Sequence, residues 1–311
     1  MVGGISIFVG FYLSAYLLGS GFTDITALLV SSALVLLIGV LDDRFDISSL
    51  FRFVVQTVAA LLMIRVGGVH LETLGQLVAS KELYLGAYGT VVTVLATVGV
   101  INALNMSDGM DGMGGGLFLI VFSAIAIVLF CASEVAAYDT LLVLIVCVFA
   151  FLLFNVRLGI RKAATVFLGD AGSMFLGFVA AWFLIKYSQK PYELLDPVTA
   201  LWFVAIPLAD TIAVMTRRMA LGRSPFGADR THFHHLLLHK GLSVNAAFLL
   251  LMGIGVSLAV AGAWLEAIGM AEYHRFYIAM GITAVHHLVT TMYVIRHGLL
   301  SQPQSAPSPQ I

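Results

Sequence analysis

Apolar stretches of roughly 20 residues recur along the whole chain, separated by short polar segments. A bilayer core is crossed by about 20 apolar residues of helix, so such windows predict transmembrane helices. Ten windows can be placed, at residues 3–20, 25–41, 50–67, 88–105, 113–133, 136–155, 164–186, 197–216, 244–266 and 274–295. The predicted fold class is therefore an all-α polytopic membrane protein with about ten transmembrane helices.

Composition agrees with a lipid environment. The 311 residues are 60% hydrophobic and only 11% charged, whereas roughly a quarter of a soluble chain is charged. The net charge of −1 gives no basic footprint for nucleic acid. Cys131 and Cys147 lie in apolar runs without a CxxC pattern, so both are predicted to be packing residues. Residues 1–296 are predicted to form one transmembrane catalytic domain, and residues 297–311 a disordered cytoplasmic tail.

The basic residues predict the orientation. With a cytoplasmic N-terminus, five of the 16 Lys and Arg residues fall outside, which fits the positive-inside rule and makes both termini cytoplasmic. The eleven on the cytoplasmic side are Arg44, Arg52, Arg157, Arg161, Lys162, Arg217, Arg218, Arg223, Arg230, Lys240 and Arg296. Eight aspartates collect on the same side: Asp42, Asp43, Asp46, Asp108, Asp111, Asp170, Asp210 and Asp229. We therefore expect any chemistry at the cytoplasmic face.

The first aspartate group is Asp42, Asp43 and Asp46, where the second window meets the cytoplasm. On a continuous helix Asp46 would share a face with both others, so three carboxylates could converge. Such crowding favours a bound cation. A solvated helix end with Arg44 as the local counter-ion explains the pattern equally well, and both interpretations stay open here.

Two further motifs carry aspartate next to glycine. Residues 102–112 read NALNMSDGMDG, and glycine after both Asp108 and Asp111 suits a backbone that turns close to a ligand. Residues 167–173 read FLGDAGS, with Asp170 in apolar sequence. An intramembrane acid favours a functional site because burying it alone costs several kcal/mol. Asp210 raises the same question, and we predict that it is a structural partner of Arg217 or Arg218.

The fourth motif is a basic loop at residues 217–240 that contains His232, His234 and His235. A zinc site is one interpretation of these histidines. No cysteine is near, however, and the surrounding arginines would repel a cation, so phosphate recognition fits better. His286 and His287 lie within the last window and are predicted to be packing residues.

Oxygen-rich sites beside a basic loop are typical of Mg²⁺ and diphosphate chemistry. The chain lacks GxxxxGK[ST], and the glycines after Asp111 do not follow a strand, which excludes P-loop and Rossmann interpretations. The rival class is a secondary transporter with an aspartate relay for protons or cations. Transport sites lie near mid-bilayer, whereas these aspartates cluster at helix ends, so an enzyme is favoured.

In order along the chain, these motifs resemble the polyprenyl-phosphate N-acetylhexosamine-1-phosphate transferases, most closely the WecA type, a relative of MraY. Asp42-Asp43 resembles the family's paired aspartates, and residues 102–112 its NxxNxxDGxDG loop. Residues 167–173 resemble FxGDxGS, and residues 232–235 its HxHH signature. Relatives of this type carry a further helix and a basic stretch before the segment matching Gly3-Gly4-Ile5, so this chain is expected to lack that helix.

The resemblance implies transfer of N-acetylglucosamine-1-phosphate from a UDP-sugar to undecaprenyl phosphate with Mg²⁺ or Mn²⁺, releasing UMP. The product would prime lipopolysaccharide O-antigen and related surface polysaccharides at the bacterial inner membrane. The amino sugar, and whether the protein forms a homodimer, stay open.

The resemblance, together with the chemistry of the motifs, assigns the site residues. The predicted catalytic residues are Asp42, Asp43, Asp108 and Asp111. The predicted metal ligands are Asp170 and Asp43. Asp42 and Asp43 are expected to organise the metal or lipid phosphate, with direct deprotonation as the alternative. The predicted substrate-binding residues are Asn105, Asn155, Phe167, Arg217, Arg218, Arg230, His232, His234 and His235, with Phe167 beside the uracil.

Overall fold

The computed structural model describes residues 2–17, 24–79, 81–157, 163–227 and 229–301. Within these ranges the chain forms helices, two short 3-10 turns and no named strand, so the all-α prediction is confirmed. The helices are α1 (Gly3–Leu17), α2 (Ile25–Phe45), α3 (Ser49–Arg65), α4 (Gly89–Ser107), α5 (Met113–Cys131), α6 (Val135–Asn155), α7 (Gly169–Tyr187), α8 (Pro197–Phe203), α9 (Ala205–Ala220), α10 (Phe233–His239), α11 (Val244–Ala267) and α12 (Glu272–Arg296).

Every predicted window overlaps a helix. Among the described residues, seven helices are long and apolar enough to cross a bilayer, or eight if the bent pair α8 and α9 is one span. The pair bends by 80° at Val204. The helices α1, with 15 residues, and α3, with 17, are shorter than a full crossing. Arg161, Lys162 and residues 302–311 lie outside the described residues, so the predicted tail stays a prediction.

Helix α7 is the centre of the bundle. Residues 171–187 are all buried, although the sequence is only moderately apolar, because α1, α2 and α4 pack around it. Two close approaches need glycine. A Cβ on Gly4 would lie 2.3 Å from the backbone of Gly172, and one on Gly39 would lie 2.4 Å from Cα of Ala171. These contacts fix the N-terminal end of α7 against α1 and α2.

Candidate active site at the helix ends

A pocket of about 300 Å³ opens where α2 and α4 end and α7 begins. Three separate sequence motifs meet there because their helices pack against α7. The lining residues are Asp43, Asn105, Asp108, Gly109, Met110, Asp111, Asn155, Phe167, Leu168, Gly169, Asp170 and Ser173. The structure thus brings together seven of the residues that sequence reasoning selected, namely Asp43, Asn105, Asp108, Asp111, Asn155, Phe167 and Asp170.

Asp43 joins α2 to the first turn of α7. Its carboxylate accepts hydrogen bonds from the backbone N–H of Asp170, at 2.8 Å, and of Ala171, at 3.4 Å. The first N–H groups of a helix have no partner within the helix, and the helix dipole favours a negative group there. Asp43 therefore holds Asp170 at a fixed position on the pocket wall.

Asn105 orients the Asp170 side chain from the opposite wall. Its Nδ2 donates to Asp170 Oδ1 at 2.7 Å and to Ser173 Oγ at 2.8 Å. Asn105 lies in the last turn of α4, whereas Asp170 and Ser173 lie in the first turn of α7. The amide thereby ties the two helix ends together across the pocket.

Asp108 follows α4 and contacts the start of α5. Its Oδ1 accepts from the backbone N–H of Gly114 at 3.0 Å. The pKa of Asp108 is raised to about 7, chiefly by burial; the hydrogen bond from Gly114 lowers it, and the nearby carboxylates of Asp170 and Asp111 raise it. Negative charge is therefore concentrated in this pocket at a free-energy cost, which a cationic ligand would relieve.

Asp111 and Asn155 connect this turn to the chain that leads into α7. Asp111 Oδ2 accepts from Arg157 Nε at 2.6 Å and from the backbone N–H of Ala164 at 2.9 Å. Asn155 Oδ1 accepts from the N–H of Gly112 at 2.7 Å, and its Nδ2 donates to the carbonyl of Val166 at 2.7 Å. Both side chains thus join the aspartate turn to the segment that leads into α7.

Asp42 points away from the pocket. It is buried, and its carboxylate accepts from the N–H of Ile47 at 2.8 Å and from Arg52 Nη1 at 2.5 Å. Helix α2 ends at Phe45, and Asp46 is exposed with φ of 49°. The three carboxylates therefore do not share one helical face, and the counter-ion is Arg52 of α3 rather than Arg44.

The histidine motif lies beside the aspartate turn. His232 Nδ1 is 2.8 Å from Asp210 Oδ2, and the N–H of Phe233 donates to Asp210 Oδ1 at 2.9 Å. The side chain bonded to Asp210 is therefore His232, because the loop folds back onto α9, while Arg217 interacts with Asp210 through its charge. The prediction that His286 only packs also needs correction, because its Nε2 lies 3.5 Å from Asp210 Oδ1.

His234 is only 1% exposed and lies where a side chain on Gly109 would project. Its two ring nitrogens have no hydrogen-bond partner among the described residues. Burial lowers the pKa of His234 to about 3, with the neighbouring His235 and His232 acting in the same direction. Burial also lowers the pKa of His235 to about 4. Both rings are thus neutral at pH 7, so either could offer one N–H donor.

Two arginines of the basic loop, Arg217 and Arg218, are buried and bound within the protein. Arg217 donates to Thr290 Oγ1 at 2.9 Å and to the carbonyl of Thr231 at 2.8 Å. Arg218 pairs with Asp229 at 3.0 Å. Arg230 is exposed, and its charge contributes to the low pKa of His235. These arginines and the three histidines are not in the pocket wall, so their role toward phosphate stays a prediction.

Phe167 lies at the rim of the pocket and is 53% exposed. Its carbonyl accepts from the N–H of Gly3 at 3.1 Å, and the next carbonyl, that of Leu168, accepts from Gly4 at the same distance. The start of α1 therefore supports the segment that presents the Phe167 ring.

A family model described as glycosyl transferase family 4 matches residues 25–188, which cover α2 to α7 and the whole pocket wall. The chain belongs to this family. Among its members, the undecaprenyl-phosphate alpha-N-acetylglucosaminyl 1-phosphate transferase of Haemophilus influenzae is 42% identical over 277 residues, 89% of this chain and 78% of that protein.

Proteins with the same name from two other bacteria are also similar. The Yersinia pestis protein is 38% identical over 262 residues, 84% of this chain and 72% of its own length. The Escherichia coli K12 protein is 36% identical over 277 residues, 89% of this chain and 73% of its own length. The resemblance drawn from the motifs is confirmed, and the transporter alternative finds no support.

Sequence reasoning gave no role to three residues of this region. Arg52 and Arg157 were counted only as cytoplasmic charges, yet they pair with Asp42 and Asp111. Ser173 was part of a quoted motif and lies in the pocket wall beside Asp170. The available signal was position alone, since Arg52 lies at the start of the window at residues 50–67 and Arg157 lies two residues after the window at 136–155.

Proposed function

We propose that the protein transfers N-acetylglucosamine-1-phosphate from UDP-N-acetylglucosamine to undecaprenyl phosphate and releases UMP. The observation that carries this proposal is the pocket in which Asp43, Asn105, Asp108 and Asp170 converge from three motifs. The names of the relatives, which share most of the chain, support the same substrates.

A divalent cation, Mg²⁺ or Mn²⁺, fits the donors of this pocket. Asp108 and Asp170 line the same pocket, and the charge of Asp170 adds to burial, the main cause, in raising the pKa of Asp108. Within the described ranges no three His, Cys, Asp or Glu side chains are grouped to hold a metal ion. That agrees with Mg²⁺, which commonly takes one or two protein carboxylates and fills its shell with substrate phosphate and water.

Asp170 is the proposed principal ligand, with Asp43 beside it. When bound, the cation would neutralise charge on the diphosphate and on the leaving UMP. The protein's own contribution is positioning, since Asn105 orients the Asp170 carboxylate and Asp43 fixes its backbone.

The proposed step is attack by an oxygen of the lipid phosphate on the β-phosphorus of the UDP-sugar. A new P–O–P bond forms in the lipid product, while the bond between the β-phosphorus and the bridging oxygen breaks and leaves its electrons on UMP. A phosphate monoester has a second pKa near 6, so the lipid is largely dianionic at pH 7. No proton then needs to be removed.

Because the lipid phosphate needs no deprotonation, the paired aspartates Asp42 and Asp43 are proposed to organise the site rather than to act as a general base. Asp42 is already bound to Arg52 and to the N–H of Ile47, and it is buried. Asp43 faces the pocket but also holds the start of α7. The nucleotide is proposed to lie against Phe167, with Asn105, Asp108 and Asp111 on the same side.

The location follows from the positive-inside count. We assign the pocket to the cytoplasmic face of a bacterial inner membrane, where UDP-sugars are made, and the product to the start of a lipid-linked surface polysaccharide. The pocket lies at helix ends rather than halfway along the spans, which supports a site at a membrane face, and the basic residues select the cytoplasmic one.

A panel of radiolabelled UDP-sugars tests the proposal. Membranes containing the protein are incubated with undecaprenyl phosphate and Mg²⁺, and label is measured in the lipid extract. We expect label from UDP-N-acetylglucosamine above that from other donors, and none in membranes with Asp170→Asn. Equal labelling in both membranes would contradict the proposed site.

A further inference from the structure

We propose that Arg157 and Asp111 form a latch that shapes the nucleotide side of the pocket, so that Asp111 acts as a positioning residue. The inference rests on the proposed function, because it concerns how the same pocket holds the donor. It changes the role predicted for Asp111 from the sequence and gives Arg157 a role that its place in the sequence did not indicate.

The latch joins two segments that line the pocket. The aspartate turn, residues 108–112, follows α4, and the return segment, residues 163–168, leads into α7. Asp111 Oδ2 contacts both Arg157 Nε, at 2.6 Å, and the N–H of Ala164, at 2.9 Å. One carboxylate oxygen of the aspartate turn therefore connects Arg157, just after helix α6, to the return segment.

Neighbouring hydrogen bonds reinforce the same junction. Asn155 accepts from Gly112 and donates to the carbonyl of Val166, both at 2.7 Å. The N–H of Thr165 donates to the carbonyl of Phe154 at 3.0 Å. The return segment is thus held against the end of α6, and Phe167, which follows directly, is presented at the pocket rim.

Low exposure to water strengthens the ion pair between Arg157 and Asp111. The side chains of Arg157 and Asp111 are 14% and 10% exposed, so water screens them less than an exposed pair. The same carboxylate oxygen of Asp111 accepts from the guanidinium of Arg157 and from the backbone N–H of Ala164, and hydrogen bonds to charged groups are among the stronger ones in proteins. These contacts commit the Asp111 carboxylate to holding the pocket wall in place.

Binding of UMP to purified protein tests the latch, measured by titration calorimetry. Asp111→Asn and Arg157→Ala should each raise the Kd by about tenfold, which equals about 1.4 kcal/mol. The double variant should also raise the Kd for UMP by about tenfold rather than a hundredfold, because the effects of two residues that act as one unit do not add. In transfer assays of Arg157→Ala the KM for the UDP-sugar should rise, while kcat at saturating donor and the KM for undecaprenyl phosphate are retained.

Arg44→Ala is the matched control, because Arg44 belongs to the same group of predicted cytoplasmic charges but is exposed and lies 6.0 Å from the Phe45 ring. It should leave UMP affinity unchanged. Where Arg157→Ala does not fold, Arg157→Gln keeps a donor without the charge and takes its place. An additive double variant, or a lower kcat with unchanged UMP affinity, would overturn the latch. Wild-type protein that binds no UMP would instead overturn the proposed function.

Discussion

Replacing Asp108 by asparagine should stabilise the protein at alkaline pH and leave its stability almost unchanged at acidic pH. Asp108 is partly buried near two other carboxylates, and its pKa is raised from 3.8 to about 7, with burial as the main cause. Between these values the folded protein keeps a proton that the unfolded chain releases. The free energy of unfolding therefore falls as the pH rises from about 4 to about 7, and the full cost applies above that window.

The magnitude follows from the pKa change. A rise from 3.8 to about 7 corresponds to about 4 kcal/mol for a fully desolvated carboxylate. Solvent at the open pocket screens the charge, so about 1 to 2 kcal/mol is expected. Asparagine keeps an oxygen that can accept from the N–H of Gly114, and hence the variant loses the charge but not this hydrogen bond. Transfer activity should be lost, since stability and function often oppose each other at such sites.

Thermal unfolding in detergent with EDTA measures this effect. Midpoints of wild type and Asp108→Asn are compared at pH 5 and pH 8 at one scan rate, because membrane proteins often unfold irreversibly. Asp46→Asn is the control, since Asp46 is exposed at the end of α2, and it should not change the pH dependence. An Asp108→Asn midpoint below wild type at pH 8, or an equal gain at both pH values, would refute the reasoning.

Three further predictions concern the metal, the histidine motif and the topology. Asp170→Asn should abolish transfer in membranes, because an amide oxygen lacks the formal charge that holds Mg²⁺; near-normal turnover would remove Asp170 from the metal site. His232→Ala should lower the melting temperature, at a cost of about 3 kcal/mol, because the buried Asp210 carboxylate loses its side-chain partner at Oδ2. Adding Asp210→Asn should restore most of that stability, and a melting temperature of His232→Ala equal to wild type would contradict the pairing. Ser224→Cys, in a chain without the native cysteines, should react with an impermeant thiol reagent only in inside-out vesicles; labelling of intact spheroplasts would invert the topology.

The helices and the pocket could be predicted from the sequence because their signals are local. Apolar windows marked the helices, and aspartate beside glycine at helix ends marked the turns that line the pocket. The bend between α8 and α9 was missed, although Pro207 lies three residues after the break. A window average cannot distinguish one straight span from two short helices of the same composition.

The partners of the charged side chains could not be predicted. Asp42 pairs with Arg52 on the next helix, and Asp111 with Arg157, 46 positions away. Asp210 pairs with His232 because the loop returns to α9. Such pairs depend on the angles between packed helices, and sequence spacing constrains neighbours only within one helix. Sequence reasoning therefore located the carboxylates but not which of them face the pocket.

Tracing a radiolabelled β-phosphorus tests the central claim most directly, because it reports which bond breaks. Purified protein is incubated with UDP-N-acetylglucosamine labelled at the β-phosphorus, undecaprenyl phosphate and Mg²⁺, and label is counted in lipid and aqueous fractions. Transfer of the sugar-1-phosphate predicts label in the lipid and unlabelled UMP in water. Label retained in water-soluble UDP, with the sugar on the lipid, would mean attack at the sugar carbon and would contradict the proposed reaction.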